Sequence, residues 1–129
     1  MQIAFEKAGG LLPAVIQDAT TKEILMLGFM NAEALEATRA SGEVTFFSRS
    51  RNKLWRKGES SGHVLRVREI LFDCDADAMV VTVEAVGPGV CHEGYRTCFF
   101  RRLEADGGIR VVAEKTFDPK VVYGEGAAR

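Results

Sequence analysis

The chain has 129 residues, 47% apolar and 27% charged, which is a globular composition and excludes a disordered one. Seventeen Lys+Arg against eighteen Asp+Glu give a formal net charge of -1, so no global attraction draws it to nucleic acid or an acidic membrane. Its three cysteines are an odd number and cannot all pair within one chain, which disfavours a disulfide framework.

From the N-terminus, Glu6 and Lys7 interrupt the only apolar start, so no signal-peptide core is expected. No run approaches the ~18 apolar residues of a membrane span. A reducing cytoplasm is the expected setting, where unpaired cysteines serve metals or catalysis more often than bridges. Leu12–Gln17 and Glu23–Met30 are apolar runs joined by a polar turn, Asp18 to Lys22, and predict two strands. Ile24–Met30, the longest apolar stretch, predicts a buried strand. Asn31 is placed as a helix N-cap, with Met30 and Leu35 able to staple across it, and a helix follows over Ala32–Ala40 until Gly42 ends it. Glu43–Ser48 predicts a third strand. Residues 49–62 form a polar loop with short extended pieces. His63–Phe72 alternates apolar residues with Arg66 and Arg68, as a half-buried strand does. Met79–Val86 is a further strand, broken at Gly87-Pro-Gly89. Thr97–Leu103 and Ile109–Glu114 predict a hairpin, and the GEGAAR tail is expected to fray. Strands outnumber helices without strand-helix alternation, so the expected class is α+β: one strand-rich domain over residues 1–129 with one main helix.

Three groups of residues carry chemistry. Asp73, Asp75 and Asp77 place carboxylates at every second position, on one side if the chain is extended. A hard cation such as Mg²⁺ would relieve their repulsion; a solvated acidic turn is the plain alternative. An EF-hand loop is disfavoured, because Ala78 stands where its sharp turn needs glycine and the flanks read as strands.

The second group is Cys74, Cys91 and Cys98. Thiolates suit Zn²⁺, and three protein ligands leave a position open for water. Sixteen residues separate Cys74 from Cys91 and six separate Cys91 from Cys98, which is not zinc-finger spacing. Three buried, apolar-acting cysteines are the alternative. His92 follows Cys91 directly, and adjacent residues rarely reach one ion from an extended chain, so acid–base work or substrate contact is favoured over ligation. His63 is expected at the surface, with no role.

The third group is basic. Arg49, Arg51, Lys53, Arg56 and Lys57 put five cations in nine residues, around the only tryptophan, Trp55. With Ser48, Ser50, Ser60 and Ser61 they can grip phosphate, or simply form a solvated loop over a packed Trp55. Single-stranded nucleic acid also suits this composition locally, but the near-zero net charge and the lack of other interleaved aromatics oppose it. Together the three groups point to metal-assisted hydrolysis of a phosphorylated substrate.

Ser48-Arg-Ser-Arg51, Leu54-Trp55, Lys57-Gly-Glu59 and Ser61-Gly62 resemble the signature of the phosphoribosyl-AMP cyclohydrolase family. Asp73-Cys-Asp-Ala-Asp77, Cys91-His92 and Cys98-Phe99 follow in that family's order. Leu12-Pro-Ala-Val-Ile-Gln-Asp18 and Leu25-Met-Leu-Gly-Phe-Met-Asn31 resemble its opening strands. The likeness covers roughly residues 10–105, leaving residues 115–129 as a tail. It implies the third step of histidine biosynthesis, in which water opens the adenine ring of 1-(5-phosphoribosyl)-AMP between N1 and C6. It further implies that Cys74, Cys91 and Cys98 bind Zn²⁺ and that Asp73, Asp75 and Asp77 bind Mg²⁺. The enzyme would be an intertwined homodimer sharing its zinc site between chains, with Cys74 turned away from Asp73 and Asp75 on an extended segment. His92 would move protons, and Arg49, Arg51, Trp55, Lys57 and Glu59 would contact the substrate. Gly87-Pro-Gly-Val-Cys91 carries one residue more than the family's usual pattern, and His63 stands where the family often has Asn. No fused pyrophosphohydrolase segment is recognisable after residue 105, so the monofunctional form is expected. The rival from another class is a zinc-stabilised module for single-stranded RNA, which would bind without turnover.

Overall fold

A computed structural model describes residues 2–123; the tail expected to fray lies outside the described residues. The architecture is α+β. In β1 (Leu12–Asp18), Leu12, Ala14, Ile16 and Asp18 are buried in strict alternation, so one face of the strand looks inward. Its polar turn reverses the chain into β2 (Ile24–Met30), which pairs antiparallel with it. β5 (Leu65–Phe72) and β6 (Met79–Ala85) form another antiparallel pair. β6 then runs parallel to β1, giving the order β2-β1-β6-β5. The parallel ladder begins at Ala14, one residue past Pro13, which has no N–H to give it.

β2 lies at the sheet edge. This corrects the expectation of a wholly buried strand, because Ile24 and Leu27 are exposed. Apolar length alone does not distinguish an edge from a centre.

The helix α1 (Ala32–Ser41) forms as its caps dictate. The Asn31 side chain accepts from Ala34 N–H at 2.8 Å, and Gly42 ends the helix in the left-handed region at φ 75. Met30 and Leu35 are both buried in one core with Leu12, Ile16, Val44, Phe46 and Val81. Each fully buried side chain of this size favours folding by about 1.5–3 kcal/mol. Thr38, fully buried, donates to Ala34 O and accepts from Thr45 N–H, which stitches α1 to the next strand.

β3 (Thr45–Ser48) is the expected third strand, and it pairs antiparallel with β4 (Lys53–Arg56), an extended piece within the segment expected to be mostly loop. β7 (Arg101–Leu103) and β8 (Ile109–Val111) make the expected second hairpin, shorter than its apolar pattern suggested. Thr97 and Cys98 are spent instead on docking to β2. Two short elements had no sequence signal: a 3-10 turn at Phe5–Ala8 and α2 (Pro119–Tyr123).

Candidate active site

The acidic segment is a tight turn joining β5 to β6, not an extended strand. Asp73 N–H donates to Ala78 O at 3.1 Å, and Ala76 N–H donates to Asp73 O at 3.1 Å. Ala76 sits in the left-handed region at φ 60 with its side chain buried. Asp73 Oδ1 also accepts from Asp77 N–H at 3.0 Å. The turn, rather than a β pleat, therefore brings donor atoms of Asp73, Asp75 and Asp77 within 4.8 Å of one another. The pleat argument for the direction of Cys74 fails with it; Cys74 is exposed on the turn and stands outside that group.

Lys7 answers this negative charge from the N-terminal turn. Its Nζ lies 2.9 Å from Asp75 Oδ2 and 3.0 Å from Asp77 Oδ2. The Lys7 ammonium holds the Asp75 carboxyl below the usual carboxylate range, and the two carboxylates push Lys7 upward. Ala4 N–H donates to Ala76 O at 2.8 Å, fixing the N-terminal segment on the same turn.

Cys91, His92 and Cys98 occupy a loop after β6. It closes on itself through Val90 N–H to Arg96 O and Cys91 N–H to Tyr95 O. Arg96 anchors it, with Nε 2.6 Å from Glu23 and Nη2 3.2 Å from Asp18 at the β1–β2 turn. Thr97 Oγ1 donates to Ile24 O, and Cys98 N–H donates to Leu25 O at 2.8 Å, which docks the loop on β2. The result is a thiol pair. Cys91, only 3% exposed, is hydrogen-bonded by the Cys98 side chain, which lowers its pKa to about 6 against the opposing effect of burial. Cys74 does not join this pair within one chain: among the described residues, only the aspartates form a group of three such donors. His92 is half-buried with Nδ1 enclosed and lacking a hydrogen-bond partner among the described residues. It faces a cavity of about 370 Å³.

The basic segment is sorted by its hairpin. Trp55 pairs across from Phe46, their rings 5.2 Å apart. Ser48, Arg51, Trp55, Lys57 and Glu59 line a cavity of about 310 Å³. Lys57 is only 2% exposed, an unusual burial for a lysine. Arg49 is not gathered with them; its guanidinium lies over the Phe29 ring at 4.0 Å, beside a second cavity on the other side of Trp55. Arg56 is ion-paired with Glu43 at 2.8 Å.

His63 is half-buried, not a surface histidine. Its ring meets the edge of Phe117 at 5.1 Å, and its Nδ1 is enclosed without a partner among the described residues. Gly87 leaves it room, since a Cβ there would fall 2.5 Å from the imidazole.

Sequence reasoning missed Lys7, Arg96 and Tyr123, the last of which lines both the Arg51–Lys57 cavity and the cavity of His92. Each acts across a long stretch of chain and sits in no local motif, so only a search for the counter-charges of Asp75 and Asp18 would have flagged the first two.

A thiol of lowered pKa and cavities lined by cations mark an enzyme more than a structural module. The donor atoms fall into a soft thiol pair and a hard carboxylate cluster, and the cavity suits a phosphorylated substrate. The family model for phosphoribosyl-AMP cyclohydrolase matches residues 26–100. A phosphoribosyl-AMP cyclohydrolase of Solibacter usitatus is 58% identical over 124 residues, covering 96% of this chain and 98% of its own. Relatives of the same name from Pelotomaculum thermopropionicum and Nitratidesulfovibrio vulgaris are 57% and 52% identical, covering 90% and 92% of this chain and 89% and 94% of theirs. The chain belongs to the phosphoribosyl-AMP cyclohydrolase family.

Proposed function

We propose that this chain hydrolyses the N1–C6 bond of the adenine ring in 1-(5-phosphoribosyl)-AMP, the third step of L-histidine biosynthesis, as a homodimer that uses Zn²⁺ and Mg²⁺. Water adds its oxygen to C6, the C6–N1 bond breaks, and N1 takes a proton, giving the formimino carboxamide ribotide. The observation that carries the reading is the contact between Cys91 and Cys98, which presents two soft donors, one already acidic, on the loop that also carries His92.

Cys91 and Cys98 would hold Zn²⁺ together with Cys74 of a second copy, since Cys74 of the same chain stands apart from them. When bound, zinc supplies a Lewis acid that makes water nucleophilic near neutral pH. The convergent carboxylates of Asp73, Asp75 and Asp77 fit an oxygen-seeking cation such as Mg²⁺. His92 moves the proton between the attacking water and N1. Arg51 and Lys57 hold phosphate in the cavity, Glu59 accepts from a sugar hydroxyl, and Trp55 lies against a ring. Arg49 joins them only by leaving its place on Phe29.

A dimer accords with the apolar surface of the second hairpin, where Leu103 is 70% and Ile109 64% exposed. No helix among the described residues is long and apolar enough to cross a membrane. Reduced thiols accord with a cytoplasmic setting.

The test is an absorbance assay of ring opening with phosphoribosyl-AMP, with and without a chelator. Turnover should stop on chelation and return with Zn²⁺ and Mg²⁺. His92→Ala should keep zinc and lose about 10²–10⁴ in rate. Cys74→Ser and Cys91→Ser subunits, each inactive alone, should regain turnover when mixed, because one of the two shared sites is then whole. Metal-replete protein that binds RNA in a salt-dependent way without opening the ring would overturn the reading in favour of a binding module.

A further inference from the structure

The segment after β8 lies beyond the residues matched by the family model, yet it is built onto the loop that carries Cys91 and His92. Thr116 N–H and Phe117 N–H both donate to Gly94 O, at 2.8 and 3.3 Å. A Cβ on Gly89 would fall 2.8 Å from the Phe117 ring, and one on Gly94 would fall 2.7 Å from Phe117 O. The two glycines thus shape a seat for this segment. Phe117 is wedged edge-on against His63, and α2 follows.

This placement brings three further side chains to the site. Lys115 and Lys120 line the 370 Å³ cavity that His92 faces, together with Arg101. Tyr123 lines that cavity and also the cavity of Arg51 and Lys57, so the two share a wall. The acid at the His92 cavity is Glu93, which lies 3.9 Å from Arg101.

The substrate of the proposed reaction is a phosphate ester at both ends, one on each ribose. Each phosphate monoester carries about -1.5 to -2 charge near pH 7 and needs cationic donors of its own. The cavity of Arg51 and Lys57 has cations for one. We infer that Lys115 and Lys120 form the subsite for the second phosphate, and that Tyr123 is the wall against which the substrate spans the two cavities. The inference rests on the proposed reaction. It assigns a binding role to residues beyond the 26–100 matched by the family model.

The experiment is steady-state ring opening by the full-length, metal-replete protein, with zinc content and thermal midpoint measured on every variant. Lys115→Met/Lys120→Met should raise KM for phosphoribosyl-AMP about tenfold or more, as loss of charge-assisted hydrogen bonds does, with kcat within about twofold. Lys115→Arg/Lys120→Arg should restore KM, because a guanidinium also binds phosphate. Both lysines are exposed, so zinc content and midpoint should not change. Wild-type KM in the methionine variant overturns the subsite, as does a fall in kcat without a rise in KM. No turnover in the wild-type protein overturns the proposed reaction and this subsite with it.

Discussion

Gly28→Ala tests how the fold positions the substrate cavity. Gly28 lies in β2 opposite Ala14, and a Cβ there would fall 2.5 Å from both Cδ1 and Cε1 of Phe46. Carbon atoms rest at about 3.5–4.0 Å, so the ring must retreat by about 1 Å. It has little room, because Phe46 is 1% exposed and the Trp55 ring lies 5.2 Å from its own. Overpacking of this kind costs about 1–3 kcal/mol. Each kcal/mol lowers the midpoint of a chain this size by about 3–6 °C. The retreat pushes Trp55, which borders the Arg51–Lys57 cavity, so KM should rise along with the fall in midpoint. Trp55 is the only tryptophan, so its emission reports the displacement directly. Phe46→Ala removes the clashing ring atoms, and the double variant should be less destabilised than the sum of the singles by about 0.5–3 kcal/mol. A Gly28→Ala protein with wild-type midpoint and emission would refute the packing argument.

Three other perturbations address the site. Lys7→Met should tighten Mg²⁺ binding at the acidic turn several-fold in calorimetric titration, since the cation no longer competes with an ammonium, whereas Asp75→Asn should weaken it; equal affinities in all three proteins would remove the turn as a cation site. In zinc-free Cys74→Ser protein, thiolate absorbance should show Cys91 titrating near 6, and adding Cys98→Ala should move it up toward the ordinary thiol range; an unmoved midpoint would separate the two thiols. Asp18 has its carboxyl held below 3.8 by the Thr21 and Thr20 N–H groups and by Arg96. Its contribution to stability is complete above the ordinary carboxylate range and is lost as pH falls through the lower folded value. Asp18→Asn should therefore lower stability to denaturant at pH 7 and flatten the acid limb of the profile, and a limb of unchanged steepness would exclude Asp18 as its source.

Elements with local rules were legible. Asn31 and Gly42 set the ends of α1 because a side-chain acceptor and a left-handed residue are each decided within one turn of helix. β1 was legible because a strand with one inward face alternates. The acidic segment was legible only as two alternatives, an extended stretch or a turn, although its three aspartates were the clearest pattern in the chain. Spacing of two fits a pleat, and nothing local signalled that Ala76 would turn left-handed with its side chain buried. His63 was misplaced for a related reason: its burial comes from Phe117, far along the chain. β3 was legible but its partner β4 lay hidden in the polar loop, and their pairing leaves Arg49 over Phe29 while Arg51 and Lys57 line the cavity.

By itself the sequence determined the chemical inventory of this protein: soft thiols, hard carboxylates, a basic segment around one tryptophan, and the family to which that combination belongs. Residue type fixes what a group can bind, and type is written in the chain. The tertiary structure decided which groups meet. It paired Cys91 with Cys98 while leaving Cys74 apart, set Lys7 against Asp75 from 68 residues away in the chain, and carried Tyr123 to the wall between two cavities. Those meetings depend on contacts between segments remote in sequence, which side-chain packing and backbone hydrogen bonds select together and no local spacing encodes.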